Sequence, residues 1–530
     1  MRKFIFTLIM MLCVVGQTAL AADFSKLVIL HTNDTHGFDI HGDGHIGMSG
    51  IAEYKDEMEA LGYDVILLDA GDCIQDNNLV NYTKGKVAID FMNAAGYDAG
   101  CLGNHEFDYG QEITLERIAQ AKYPLMSCNI LVDATKEYFT LPATILNRPS
   151  GKIGIVGFTT PETMVSTAPK NIRGLYFKQK EELYAEAQKQ IDKLKAAGCD
   201  LIIGVGHMGS EDGCMGNRSD DVIMHTKGLD VFVDGHDHRI KNNYINGVLQ
   251  VETGNYTKNL GKVTYKDGKW VGELIPFGQY EKTDPEVAKI VQAANAEVQA
   301  HLGVIVGESA QFMDGAREPG LRTEEVPMGD FVADAYLWQA QQANVLRGRV
   351  HGAIINGGGI RHGLPNGPVK RGDIVSVAPF NNQIHVATIK GSTLLEVIEA
   401  CTAYLPDAMG GLPQVAGITY TVNTKVPFVA GEKYPNSLFY APAKPGSRVT
   451  IHTVDNKPFD PNASYTIAMT EFQTAGGDNY GAMALPGAKE ASQSIGYIDS
   501  DAIENYLVTA LGGKIGPQYA KAQGRFTVIK

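Results

Sequence analysis

A chain of 530 residues is too long for one ordinary domain and long enough for two, each with its own core. Its 44% apolar share is that of a soluble globular protein. With 60 acidic against 46 basic residues the formal charge is −14, which argues against non-specific binding of nucleic-acid polymers.

The N-terminus reads as a secretory signal over residues 1–21. Arg2 and Lys3 precede the apolar run Phe4–Val15, and Ala19-Leu20-Ala21 offers small residues for cleavage after Ala21. Losing those two positive residues takes the charge from −14 to −16. No later segment approaches the ~20 apolar residues of a membrane span, so the expectation is an exported protein, periplasmic or extracellular, without a membrane anchor. The six cysteines that follow, Cys73, Cys101, Cys128, Cys199, Cys214 and Cys401, fit no metal knuckle and no dense disulfide framework, and most are expected as small buried hydrophobes.

From Leu27 to about Gly268, short apolar runs end in polar, glycine-containing turns: Leu27–Leu30, Val65–Leu68, Ile153–Phe158, Leu201–Val205 and Val231–Val233. Helical patterns such as Glu181–Ala197 lie between several of them, which predicts an α/β layered domain with buried strands. Ligands bind outside the carboxyl ends of such strands, and that is where the chemistry-bearing residues fall. Asp34 and His36 follow the first run and Asp72 the second. Then come Asn104, His105 and Glu106, then His207, then His236 and His238. The two-residue spacing of each Asp/His or His/His pair predicts side chains on one side of an extended chain. Mixed carboxylate, imidazole and amide ligands suit Zn, Mn, Fe or Co. If Asp72 bridges, the set serves two divalent cations ~3.5–4 Å apart, able to activate water and clamp a phosphoryl group.

Asp284-Pro285 opens a helical pattern, Glu286–Leu302, with Asp284 as N-cap and Pro285 in the first turn. A second mixed α/β domain follows. In it, Asn356-Gly357-Gly358-Gly359-Ile360-Arg361 follows the apolar run Ala353–Ile355. Val377–Asn382 follows a strand-like stretch, and Phe472–Asp478 follows Tyr465–Met469. Glycines beside polar groups let a ligand approach the backbone.

The motifs Asp34-x-His36, Gly71-Asp72, Gly103-Asn104-His105-Glu106, Gly206-His207 and Gly235-His236-Asp237-His238 resemble those of the calcineurin-like metallophosphoesterases. Their order resembles the secreted 5′-nucleotidase and UDP-sugar hydrolase branch over essentially the whole mature chain. The resemblance implies a four-layer-type β-sandwich flanked by helices at residues 22–282, a linker helix at 283–305, and a smaller mixed α/β nucleotide-binding domain at 306–530. It implies one metal on Asp34, His36, Asp72 and His238 and another on Asp72, Asn104, His207 and His236, with Zn, Mn or Co as the ions. Some bacterial members carry glutamine where this chain has His238. His105, oriented by Asp108, is implied as the catalytic group. Phe380 and Phe472 would sandwich a base, Asp478 would hold the ribose, and Arg322, Arg361 and Asn356 would meet phosphate or ribose. Asn381-Asn382 departs from the small residues usual after the base-stacking Pro-Phe.

The expected activity is metal-dependent hydrolysis of nucleoside 5′-monophosphates by in-line attack of activated water, within nucleotide catabolism and extending to UDP-sugars or other nucleotides. A 2′,3′-cyclic nucleotide phosphodiesterase/3′-nucleotidase and a thiosulfate hydrolase share the scaffold. A non-catalytic nucleotide-binding surface protein is the alternative of a different class.

Overall fold

The computed structural model describes residues 22–210, 214–343, 349–435 and 437–530. The expected signal, residues 1–21, lies outside the described residues. The strands of the first half are β1 (Leu27–Thr32), β2 (Asp64–Asp69), β3 (Ala99–Cys101), β4 (Leu125–Met126), β5 (Ile130–Val132), β6 (Ala143–Arg148), β7 (Gly151–Thr159), β8 (Leu175–Phe177), β9 (Leu201–His207), β10 (Val231–Val233), β11 (Ile240–Ile245), β12 (Val248–Thr253), β13 (Asn259–Lys266) and β14 (Lys269–Pro276). They build two six-stranded sheets, ordered β14-β13-β1-β2-β3-β4 and β11-β12-β10-β9-β7-β6, while β5 and β8 pair separately.

The continuous apolar runs are explained by burial on both faces. On β1, Leu27 and Ile29 enter a core shared with Ile153, Ile155, Ile203 and Val205 of the second sheet. Val28 and Leu30 turn the other way, against helices Gly47–Ala60 and Lys86–Ala95. The second sheet's outer face, with Val156, Phe158 and Ile202, packs on Leu183, Ala187 and Ile191 of helix Glu181–Ala196. The result is helix, sheet, sheet, helix: four layers, with parallel pairings β1–β2, β7–β9 and β9–β10 bringing several strand carboxyl ends to one edge.

Helix Pro285–Leu302 begins where the sequence predicts, and Asp284 Oδ1 accepts a 2.7 Å hydrogen bond from the Val287 amide. Val287, Val291 and Val298 join the core formed by the helices on the first sheet, so this helix packs on the first domain along its length. Asp284→Ala is expected to cost about 0.5–2 kcal/mol through the lost cap, read as a lower denaturation midpoint. An unchanged midpoint would mean the cap adds nothing to what the valines supply.

The smaller domain centres on a five-stranded sheet ordered Pro413–Ala416, Gly352–Asn356, Ser464–Thr470, Gln383–Lys390 and Ser492–Ile498. One sequence expectation is corrected here. The stretch before Ala378 is a helix, Arg371–Val377, not a strand. Its β-branched residues suggested a strand, but Asp373 Oδ2 accepts the Lys370 amide at 2.7 Å and caps a helical turn. The domains meet through polar contacts: the Asp478 amide donates to Val165 O (2.8 Å), and Asn78 Nδ2 donates to Gly372 O (2.6 Å) and Ser376 Oγ (2.8 Å). Among the described residues no helix is long and apolar enough to cross a membrane, and none of the six cysteines forms a disulfide, five of them being buried.

Candidate active site

Seven residues expected as ligands converge at the strand ends of the first domain. Their local backbone is not the extended chain that two-residue spacing suggested. Asp34 (φ 49°), His36 (φ 51°), Asp72 (φ 58°), His236 (φ 100°) and His238 (φ 59°) all take left-handed conformations. Such backbone costs a non-glycine residue free energy and persists where the surroundings enforce it. The enforcement is visible. A Cβ on Gly103 would fall 2.2 Å from Asp72 Oδ1, so only glycine lets the two loops meet. Glu106 then ties them together, accepting the amides of Asp72 (2.9 Å), Cys73 (2.9 Å) and Gly103 (2.6 Å).

Each imidazole is held by one nitrogen and presents the other to the centre. His36 Nδ1 is 2.8 Å from Gln75 O and His207 Nδ1 is 2.7 Å from Ala70 O. His236 Nε2 is 2.7 Å from Glu162 Oε2, which turns its Nδ1 to within 3.0 Å of Asn104 Oδ1. His238 Nδ1 lies 3.0 Å from Asn255. The inward atoms crowd together: His207 Nε2 to Asp72 Oδ2 2.9 Å, His238 Nε2 to Asp34 Oδ1 3.3 Å, and His36 Nε2 to Asp72 Oδ2 3.8 Å. Asp34, His36 and His238 form one ligand-like group within 4.8 Å, and Asp34, Asp72 and His207 another. Asp34 Oδ1 and His207 Nε2 are buried without an aligned hydrogen-bond partner. Rings fixed from outside, with Asp34 Oδ1 and His207 Nε2 facing inward unpartnered, make the pattern of a metal centre, and the residues present fit two divalent cations.

The electrostatics agree with that fit. Burial pushes the His36 imidazole down to about 3, so it is neutral and able to ligate. Burial alone would raise the Asp72 carboxyl, but His207, His105 and His36 hold it well below the usual range. His105 stands beside the ligands. Its Nδ1 is 2.5 Å from Asp108 Oδ2, its Nε2 is 4.0 Å from Asp72 Oδ2, and Thr167 Oγ1 donates to Asp108 Oδ1 at 2.8 Å. Burial pulls the His105 imidazole down, but the carboxylates of Asp108 and Asp72 leave it raised overall.

One cavity of about 930 Å³ joins this centre to the second domain. Asp72, Asn104, His105, Asp108, His236 and His238 line one end. Arg322, Asn356, Arg361, Phe380, Phe472 and Asp478 line the other, so all six expected substrate residues reach the same space. The Phe380 ring neighbours the His105 ring, centroids 6.0 Å apart and 18° from parallel, and the Arg361 guanidinium at 5.7 Å. Phe472 lies flat on Gly477, where a Cβ would fall 2.3 Å from a ring carbon. Asp478 accepts from Asn356 Nδ2 at 2.8 Å, and burial still raises its carboxyl to about 6. Asn381 takes φ 53°, a conformation natural to the small residues it replaces.

Three residues in or behind the cleft escaped the sequence reading. Glu162, which orients His236, sits just beyond β7, a strand end like the others. Arg317, five residues before Arg322, donates to Tyr256 OH at 3.3 Å and lines the cavity. Asp76 faces Arg361 and His362 from the opposite domain, a pairing that no local pattern announces.

A family model for calcineurin-like phosphoesterases matches residues 27–239, and one for the 5′-nucleotidase C-terminal domain matches residues 305–485. A snake venom 5′-nucleotidase of Naja atra is 29% identical over 556 residues, covering 93% of this chain and 97% of the venom protein. A trifunctional nucleotide phosphoesterase protein of Bacillus subtilis is 28% identical over 95% of this chain, which spans 35% of that longer protein. A solved 5′-nucleotidase precursor from Thermus thermophilus shares the fold with TM-score 0.77 at 23% identity, covering 95% of this chain and 99% of that one.

Proposed function

Because the chain belongs to the family that joins a calcineurin-like phosphoesterase domain to a 5′-nucleotidase C-terminal domain, and is a phosphoric ester hydrolase, we propose that it removes phosphate from nucleoside 5′-monophosphates outside the cytoplasm. The observation that carries this is the single cavity with the imidazole–carboxylate centre at one end and Phe380, Phe472 and Asp478 at the other.

Asp34, His36, Asp72 and His238 would hold one divalent cation and Asp72, Asn104, His207 and His236 a second, with Zn, Mn or Co suited to these donors. Bound there, the pair would supply Lewis-acid charge and acidify water so that its deprotonated form is available to attack phosphorus. The protein's own groups do the rest. Arg322, Arg361 and the newly found Arg317 bind phosphoryl oxygens, for which the planar guanidinium is suited. His105, oriented by Asp108, donates to charge developing on the phosphoryl group or the leaving oxygen. Asp478 and Asn356 hold the ribose, and the two phenylalanines hold the base. The likeness to a snake venom 5′-nucleotidase and the signal-like pattern of residues 1–21 support export.

The test is a panel of nucleoside 5′-monophosphates, UDP-sugars, 2′,3′-cyclic nucleotides, thiosulfate and a base-free phosphate ester. The highest kcat/KM is expected for a 5′-monophosphate. A 2′,3′-cyclic nucleotide in first place would replace this reading with the phosphodiesterase one, and no turnover of any of them would leave a binding protein.

The base pocket has its own test. Phe380→Ala and Phe472→Ala are each expected to weaken nucleotide recognition by roughly 1–3 kcal/mol, with hydrolysis of the base-free ester nearly unchanged. Phe472 is only 9% exposed, so its variant should also lose thermal stability, whereas half-buried Phe380 should lose less. Equal losses on both substrates would count against the sandwich.

A further inference from the structure

Asp76 is a fully buried carboxylate of the first domain whose partners come mainly from around the cleft. Its Oδ1 lies 3.2 Å from His362 Nε2 and 3.7 Å from Arg361 Nε, both in the second domain, and its Oδ2 accepts from Tyr256 OH at 3.1 Å. The same tyrosine hydroxyl receives Arg317. The backbone at Asp76 is strained, with φ 117°. Asn81 clamps it from both sides: its Oδ1 accepts the Asp76 amide at 3.0 Å, and its Nδ2 donates to the Asp76 carbonyl at 2.8 Å. A carboxylate fixed this firmly in an unfavourable backbone conformation is aimed rather than tolerated. It faces the His362 imidazole and, at 3.7 Å and without a hydrogen bond to its Nε, the guanidinium that also lies near the Phe380 ring. Burial would raise the Asp76 carboxyl, but Arg361 and His362 keep it well below the usual range, so it stays charged.

We propose that Asp76 is a resident counter-ion that competes with incoming phosphate for Arg361 and so weakens the hold of the site on every phosphate ligand, the released product included. This rests on the reading that Arg361 meets substrate phosphate. A phosphate with nothing else to bind must draw Arg361 from a charged, preorganised partner. A nucleotide gains stacking and ribose contacts at the far end of the cavity and can offset that cost. Because that cost falls on every ligand that uses Arg361, Asp76 lowers affinity for substrate phosphate and released phosphate alike, and so limits product inhibition.

The test uses the full-length, metal-loaded enzyme and two variants, Asp76→Asn and Asp76→Gly. Asparagine keeps the shape without the charge, and glycine takes φ 117° without strain. In both, inorganic phosphate is expected to inhibit at roughly tenfold lower concentration, the scale of one unit charge removed at several ångströms in a partly screened cleft. The ratio of kcat/KM for a nucleoside monophosphate to that for glycerol phosphate should stay near its wild-type value, because both substrates are freed of the same competitor. Damage to the fold weakens every ligand, so tighter phosphate inhibition is not an outcome a merely structural role can give. Unchanged or weaker inhibition in a variant with wild-type melting temperature overturns the proposal. Arg361→Gln, measured alongside, separates the two claims. It should weaken phosphate inhibition. If it does while the Asp76 variants show no gain, the competition alone fails. If it does not, Arg361 is no phosphate contact and both claims fall.

Discussion

His105→Ala is expected to slow turnover by roughly 10²–10⁴-fold, the range for a positioned acid–base group, while leaving bound metal near its normal amount. The separation follows from geometry. His105 Nδ1 is committed to Asp108, and its Nε2 stands 4.0 Å from Asp72 Oδ2, at the edge of the ligand set rather than within it. Its main-chain amide donates to Asp72 Oδ1 at 2.9 Å, a contact that alanine keeps. Thr167 and Asp108 form a relay that fixes the ring, so Asp108→Asn should give a smaller loss of the same kind. Metal analysis and single-turnover rates on one preparation decide the matter. Loss of metal would make His105 a ligand, and an unchanged rate would remove it from the chemistry.

Removing divalent cations is expected to abolish phosphate release, and adding Zn, Mn or Co to restore it. Asp34 and Asp72 are 0% and 2% exposed, and their inner oxygens meet only imidazole edges at ion-pair distances. Cations that bind the folded but not the unfolded chain also stabilise it, by about 4 kcal/mol at a thousand times the dissociation constant. Chelation should therefore lower the melting temperature as well as the rate. Full activity in a thoroughly stripped sample, checked by elemental analysis, would overturn the metal-dependent reading.

Much of the first domain was legible because buried parallel strands write themselves as short apolar runs. Leu27–Leu30, Val65–Leu68 and Leu201–Val205 all fall inside observed strands, and the metal-type residues fall just after them. The Pro285–Leu302 helix was equally clear because its cap and its apolar spacing agree. What stayed hidden depends on distance in sequence. Glu162 reaches His236 across 74 positions and Asp76 reaches His362 across 286, so no local pattern marks either pair. Helix Arg371–Val377 was misread because its side chains favour strand while one capping carboxylate favours helix, and the cap prevailed. The extended-chain reading of the Asp-x-His and His-x-His pairs failed for a related reason: tertiary contacts, not local preference, set those φ angles.

Those left-handed turns bear on how the chain can be altered. Asp34, His36, Asp72, His236 and His238 each sit in a conformation that glycine would adopt at little cost. In metal-free protein glycine at these positions would relieve strain, whereas in metal-loaded protein it would forfeit the stabilisation that bound cations give. A library screened for melting temperature should therefore rank substitutions at these five positions differently with and without divalent cations, more so than elsewhere in the domain.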